Sequence, residues 1–338
     1  MKKHARCFLV AGILSLVAAP ISACLWDGDT LAAESARFPG ISQLITGAFP
    51  RHSQEFYEWR RKTCEQQLAK NPRMVALYDD LAVAQHKLGD HKGAIATMMA
   101  KEKLRPGIYE TYSNLGTFCI YTGDLDEAVK WITKALAINP NAHFGREKYQ
   151  KWLVQWQIDL KKPRKEKDNA EPKRLSTRNT LMGFARFVAS KEAGMETSSP
   201  DPELTLSSDH ALSAIRGVAG MMRFADFDNP LLQEAMGDLL LAGGQERNAA
   251  QMASICYLHA ANETADEDQK AVLMSKLTHS GRHTMGFDPK EVGKQLLDGL
   301  KQGDTYFQAI RDDEISWIAA GKDAGAEFQR KYLAAKGK

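Results

Sequence analysis

The sequence predicts an all-α protein, and three observations predict it. Two stretches, "LYDDLAVAQHKLGDHKGAIATMMAKEKLRP" at 77–106 and "TYSNLGTFCIYTGDLDEAVKWITKALAINP" at 111–140, align at a constant offset of 34 residues. Fixed periods of 20–50 residues mark arrays of stacked supersecondary units. Asn229-Pro230 and Asp288-Pro289 each pair an N-cap residue with proline at the first helical position, a helix-start signal. No run alternates apolar and polar residues in the manner of a half-buried strand.

The chain opens on Lys2, Lys3 and Arg6, followed by the uncharged run FLVAGILSLVAA at 8–19. That run is short of the roughly 20 apolar residues that span a bilayer and suits the core of a secretory signal. Ile21-Ser22-Ala23-Cys24 then resembles the lipobox of bacterial lipoproteins. The resemblance implies cleavage before Cys24 and acylation of that cysteine, so residues 1–23 are read as a leader. The implied location is a bacterial membrane, facing the periplasm or the exterior; the membrane itself is left open. An N-terminal segment with short helices is expected over 24–53. The leader carries three basic and no acidic residues, so of 45 basic residues 42 remain against 42 acidic ones. A neutral mature chain gives no case for nucleic acid. Cys64, Cys119 and Cys256 are too scattered for a disulfide framework or zinc ligation and read as small core residues.

The repeat follows. Leu81 pairs with Leu115, Gly89 with Gly123, Ala94 with Ala128 and Pro106 with Pro140. Gly116 and Ala128 are small enough to let two helices approach closely. Gly89-Asp90 and Gly123-Asp124 end one helix in the left-handed conformation and cap the next. Pro106 and Pro140 stop the second helix of each hairpin. Period and marks together resemble the tetratricopeptide repeat, and the second copy fits best, through Tyr112, Leu115-Gly116, Gly123-Asp124, Ala128, Ala135 and Pro140. The first departs at Ala82, Gln85 and Lys101. The repeats are placed at 75–108 and 109–142, inside a repeat domain spanning 54–160 that adds flanking helices at Gln54–Leu68 and Ala142–Leu160.

Charge and two prolines mark 161–178 as a linker. A C-terminal helical domain, 179–338, follows, with a helix over Ala211–Phe224 and a degenerate hairpin near 229–262, where Gly237, Gly244 and Ala249 repeat the intervals of Gly116, Gly123 and Ala128. Two or three further helices are expected over Glu291–Leu333, broken near Gly303 and Gly321. "CLWDGDTL" and "INPNAHFGREKYQ" also resemble uncharacterised bacterial tetratricopeptide lipoproteins, a likeness that implies no reaction.

Motifs for chemistry are sparse. "WDGDTL" lacks the strand that a phosphatase nucleophile loop requires, so Asp29 or Thr30 is read as a helix cap. His279 and His283 stand four apart, but Ser280-Gly281 between them argues for a loop and no HExxH is completed. "GMMRFADF" is read as packing. No GxSxG, Walker loop or GxGxxG is present, and neither metal nor cofactor is expected. The resemblance implies a concave face lined by the first helix of each repeat. By register that face holds Asp79, Val83 and His86, then Ser113, Asn114, Thr117, Ile120 and Tyr121, then Glu147 and Lys151. Such a mixed, partly apolar groove suits an extended segment or a helix of another protein. The implied function is a non-enzymatic scaffold or assembly factor. Alternatives are an enzyme with its site among the C-terminal helices and a self-associating structural protein.

Overall fold

A computed structural model describes residues 39–140, 145–162, 181–199, 201–243, 248–282, 284 and 286–334. The leader, Cys24, the Asp29/Thr30 cap, most of the charged linker, Gly244 and His283 lie outside them. Every regular element among the described residues is helical. No described helix is long and apolar enough to cross a membrane.

Helix α1 (Ile41–Thr46) is short and α2 (Gln54–Lys70) is capped by Ser53, whose Oγ accepts from the Phe56 amide at 3.2 Å. Two hairpins follow: α3 (Ala76–Lys87) with α4 (His91–Leu104), and α5 (Tyr109–Tyr121) with α6 (Leu125–Ile138). Both corners are built as the sequence requires. Gly89 and Gly123 have φ of 85° and 81°, and Asp90 and Asp124 accept from the amides of Gly93 and Glu127. A Cβ on Gly116 would lie 2.5 Å from Ile132 Cγ1, so α5 and α6 meet at a distance that only glycine allows. Helix α7 (Arg146–Leu160) packs on α6 and ends the array.

The second half comprises α8 (Gly183–Glu192), α9 (Ser208–Phe224), α10 (Pro230–Gly243), α11 (Ala249–Glu263), α12 (Glu267–Gly281), α13 (Pro289–Ala319) and α14 (Ala324–Phe328), with a π-helical turn at Gln329–Leu333. The expected hairpin near 229–262 is α10–α11, where Tyr257 lies against Gly237 as Ile132 does against Gly116. Asn229 caps α10, and Asp288 caps α13 with proline next to it. Cys64, Cys119 and Cys256 are buried.

Two sequence readings are corrected. Helix α12 runs through Ser280 and Gly281, so His279 sits in a helix, buried, rather than in a loop. Gly281 accommodates the Phe287 ring, which explains its place in the helix. Helix α13 runs unbroken through Gly303; a Cβ there would stand 2.1 Å from the Thr46 carbonyl oxygen. The glycine is a contact between helices, not a terminator. The break comes at Gly321, with φ of 68°.

The two halves share a core. Tyr149, Leu153 and Trp156 of α7 pack with Leu44, Ile45 and Phe49 near α1 and with apolar residues of α8 to α12. Glycines on α9 make this possible: Gly217 receives the Tyr149 ring and Gly220 receives Arg146. At the other end, α13 crosses back to α2, where Phe56, Ile310, Trp317 and Phe328 form a separate cluster. His52 stacks on Phe56 there and meets buried Glu314 at 2.6 Å. The C-terminal helices therefore hold the repeat array at both ends.

Candidate partner-binding surface

The first helices of successive units, α3, α5 and α7, set equivalent side chains in rows 34 residues apart: Asp79, Ser113 and Glu147 in one row, Val83, Thr117 and Lys151 in the next, then His86 with Ile120 and Lys87 with Tyr121. Most of these rows are closed. Asp79, Val83, His86, Ser113, Asn114, Thr117 and Glu147 are each no more than 3% exposed. Lys101 Nζ donates to both Asp79 carboxylate oxygens, at 2.7 and 2.5 Å, and Asn114 Nδ2 adds a contact at 3.3 Å. Burial pushes the Asp79 carboxyl up to about 7 against the pull of Lys101. Tyr109 and Ser113 hydroxyls both donate to Glu147 Oε1 at 2.8 Å. Gln150 Nε2 donates to Thr117 Oγ1 at 3.0 Å. Val83 packs with Met98 and Phe118. His86 sits against Phe118 and Tyr121, its Nδ1 3.0 Å from that of His91, and burial drives its pKa well below the ordinary value.

These seven residues are a correction to the expected groove. They form the polar seam between neighbouring helices and do not line an open channel. Adjacent first helices touch, and Lys101 supplies the cation for Asp79 from a position where a repeat ordinarily carries a small residue. Ile120, Tyr121 and Lys151 remain half-exposed at the rim. Tyr121 donates to Asp226 Oδ2 at 2.6 Å, and burial, with Asp226 beside it, raises its pKa well above the ordinary value. Burial, then Lys191, lowers the Lys151 pKa, with Glu196 opposing. Helix α9 packs on α7, and the connector after it meets Lys87 and Tyr121. Beside the rim a cleft of about 590 Å³ opens between α6, α7 and the segment following α8. Val129 and Ile158 give it apolar surface over the buried Phe187, and Asp126, Lys130, Gln155, Asp159 and Glu196 polar edges.

Residues 109–142, α5 and α6 with their flanks, match the family model of the tetratricopeptide repeat. This segment is a tetratricopeptide repeat. No curated protein matches the chain in sequence. Tetratricopeptide repeats mediate binding to other proteins, and the unit here has its first helix flanked by α3 and α7 and its second helix beside the open cleft. The hairpin at 75–104 shares its offset and its corner geometry.

One buried ion cluster ties α10, α11 and α12 together. Lys276 Nζ lies 2.6 Å from Glu234 and 2.8 Å from Asp238; the Tyr257 hydroxyl and the Phe184 amide donate to Asp238, and Gln269 to Glu234. Burial disfavours the Lys276 charge, but the two carboxylates outweigh it and raise its pKa. Gly183, with φ of 40°, lies so close that a Cβ would meet Asp238 at 2.1 Å. This is a closed ion cluster within the core, not an open site. Among the described residues no group of three metal-binding side chains converges.

Sequence reasoning missed Lys87, Lys101, Arg146 and Asp226. Lys101 was legible as a departure from the repeat pattern, and Lys87 as the register partner of Tyr121. Asp226 carries no local signal, because its role depends on a contact across the fold.

Proposed function

We propose that this chain is a protein-binding scaffold of the bacterial envelope, held at the membrane by acylation of Cys24, and that it engages a segment or helix of another protein through its tetratricopeptide surface. The observation that carries the reading is the tetratricopeptide repeat at 109–142, with a half-exposed rim and an adjoining cleft on its flank. The cleft's mixed lining, with Val129 and Ile158 among charged side chains of both signs, suits an amphipathic segment.

Cross-linked capture from the native envelope tests it. Wild type is compared with Lys151→Glu at the rim and with Lys130→Glu/Gln155→Arg at the cleft. A near-stoichiometric partner taken by wild type and lost by either variant supports the scaffold. A partner indifferent to both variants places binding elsewhere, and no specific capture removes the reading. The anchor is tested separately: Cys24→Ser is expected to shift the protein from the membrane to the soluble fraction, and unchanged membrane retention counts against lipidation.

A further inference from the structure

The connector between α9 and α10 meets the repeat rim through contacts unlike the helix packing around it. It follows Phe224, the last residue of α9, and its residues 225–228 read ADFD; Phe227 packs on Phe49, and Gln233 Nε2 donates to its carbonyl at 2.7 Å, so the connector is pinned to the core beyond Asp226. Lys87 Nζ donates to the Ala225 carbonyl at 2.7 Å and lies 3.8 Å from Asp226 Oδ1, while the Tyr121 hydroxyl donates to Asp226 Oδ2 at 2.6 Å. The Phe224 ring is flanked by the Arg146 and Arg223 guanidinium groups, at 4.9 and 5.2 Å. Lys87 and Tyr121 are the last residues of α3 and α5 and stand 34 apart. The same place in two successive units thus reads one non-helical segment. A main-chain carbonyl, a carboxylate and an aromatic ring each find their own donor or cation, which is how a surface holds a peptide.

We propose that residues 224–226 are an internal ligand covering the repeat rim, and that the partner displaces them with a segment of the same chemistry: an aromatic residue followed two positions later by a carboxylate. This inference rests on the scaffold reading above and names the partner's class. While the connector is seated, the effective affinity for an outside segment falls by the fraction of molecules in which the rim is open.

The test uses the full chain and a fluorescein-labelled peptide of residues 223–229, RFADFDN, followed by anisotropy. Asp226→Ala is expected to bind the probe at least tenfold more tightly than wild type. Adding Tyr121→Phe should return the affinity to the wild-type level, and a probe with alanine in place of its first aspartate should not bind. A folded Asp226→Ala chain that binds no more tightly than wild type, or binding indifferent to Tyr121→Phe, overturns the proposal. If Asp226→Ala does not fold, Asp226→Asn with hydrogen exchange replaces it. The amides of Ala225 and Asp226 should then exchange at least tenfold faster while α9 and α10 keep their protection, and unchanged exchange refutes the internal ligand. An envelope partner captured equally by wild type, Asp226→Ala and Tyr121→Phe would leave the scaffold standing and remove this inference alone.

Discussion

The Asp79–Lys101 pair offers the sharpest test of how the array is held together. Both side chains are almost fully buried, and the ammonium touches both carboxylate oxygens. Removing one partner of a buried pair costs about 3–5 kcal/mol, because the other charge is left without compensation. Lys101→Met keeps the length of the side chain and deletes its charge, so at pH 8 it is expected to lose that amount. Asp79→Asn/Lys101→Met deletes both charges and leaves an amide that still accepts from Asn114; it should return to within about 1 kcal/mol of wild type. pH separates charge from shape. In the folded chain Asp79 is pushed up to about 7. In the unfolded chain it titrates near 3.9, a gap of about three pH units at about 1.4 kcal/mol each, or about 4 kcal/mol. The native state holds the proton longer than the unfolded state. This contribution is therefore complete below about pH 4 and is lost as pH rises through 7. Wild-type stability from this group falls over that interval, and the double variant should lack the slope. Urea unfolding followed by circular dichroism at pH 4, 6 and 8 measures both effects. A double variant as unstable at pH 8 as Lys101→Met, or one with the wild-type pH slope, would show that the site is governed by packing and refute the argument.

Three further outcomes follow from close contacts. Gly116→Val would set its side chain into Ile132, whose Cγ1 would be 2.5 Å from the new Cβ, and should lower stability by about 1–3 kcal/mol in urea; an unchanged midpoint would mean that α5 and α6 separate freely. Gly303→Ala would place a Cβ 2.1 Å from the Thr46 carbonyl oxygen, so hydrogen exchange in 41–49 should quicken, and unaltered protection there would contradict the assigned contact. Lys276→Met strands Glu234 and Asp238 in the core and should cost about 3–5 kcal/mol at neutral pH; a loss below about 1 kcal/mol, read by thermal unfolding, would show that the cluster is not held by that ammonium.

What could be read in advance and what could not divide along the range of the interaction. Gly116, Gly123 and Asp124 were legible because their duties lie within one hairpin: a close approach, a left-handed corner and a cap, all set by residues no more than about one turn or one hairpin away. Gly303 has the same composition signal as a terminator, yet it sits inside a 31-residue helix, because its duty is to admit the backbone of Thr46 from the far end of the chain. The groove residues lie on α3, α5 and α7 in rows 34 apart, but register gives the face and not what covers it. Asp79 and Glu147 look like groove carboxylates until Lys101, Tyr109 and Ser113 are seen to hold them. Lys101 was already the sign: a cation at a small-residue position inside a packed repeat has to be matched by a buried anion, and the nearest available one is Asp79. A departure from a repeat pattern is therefore more informative about the site than agreement with it, since agreement reports the shared hairpin whereas departure reports what this chain has done to its concave face.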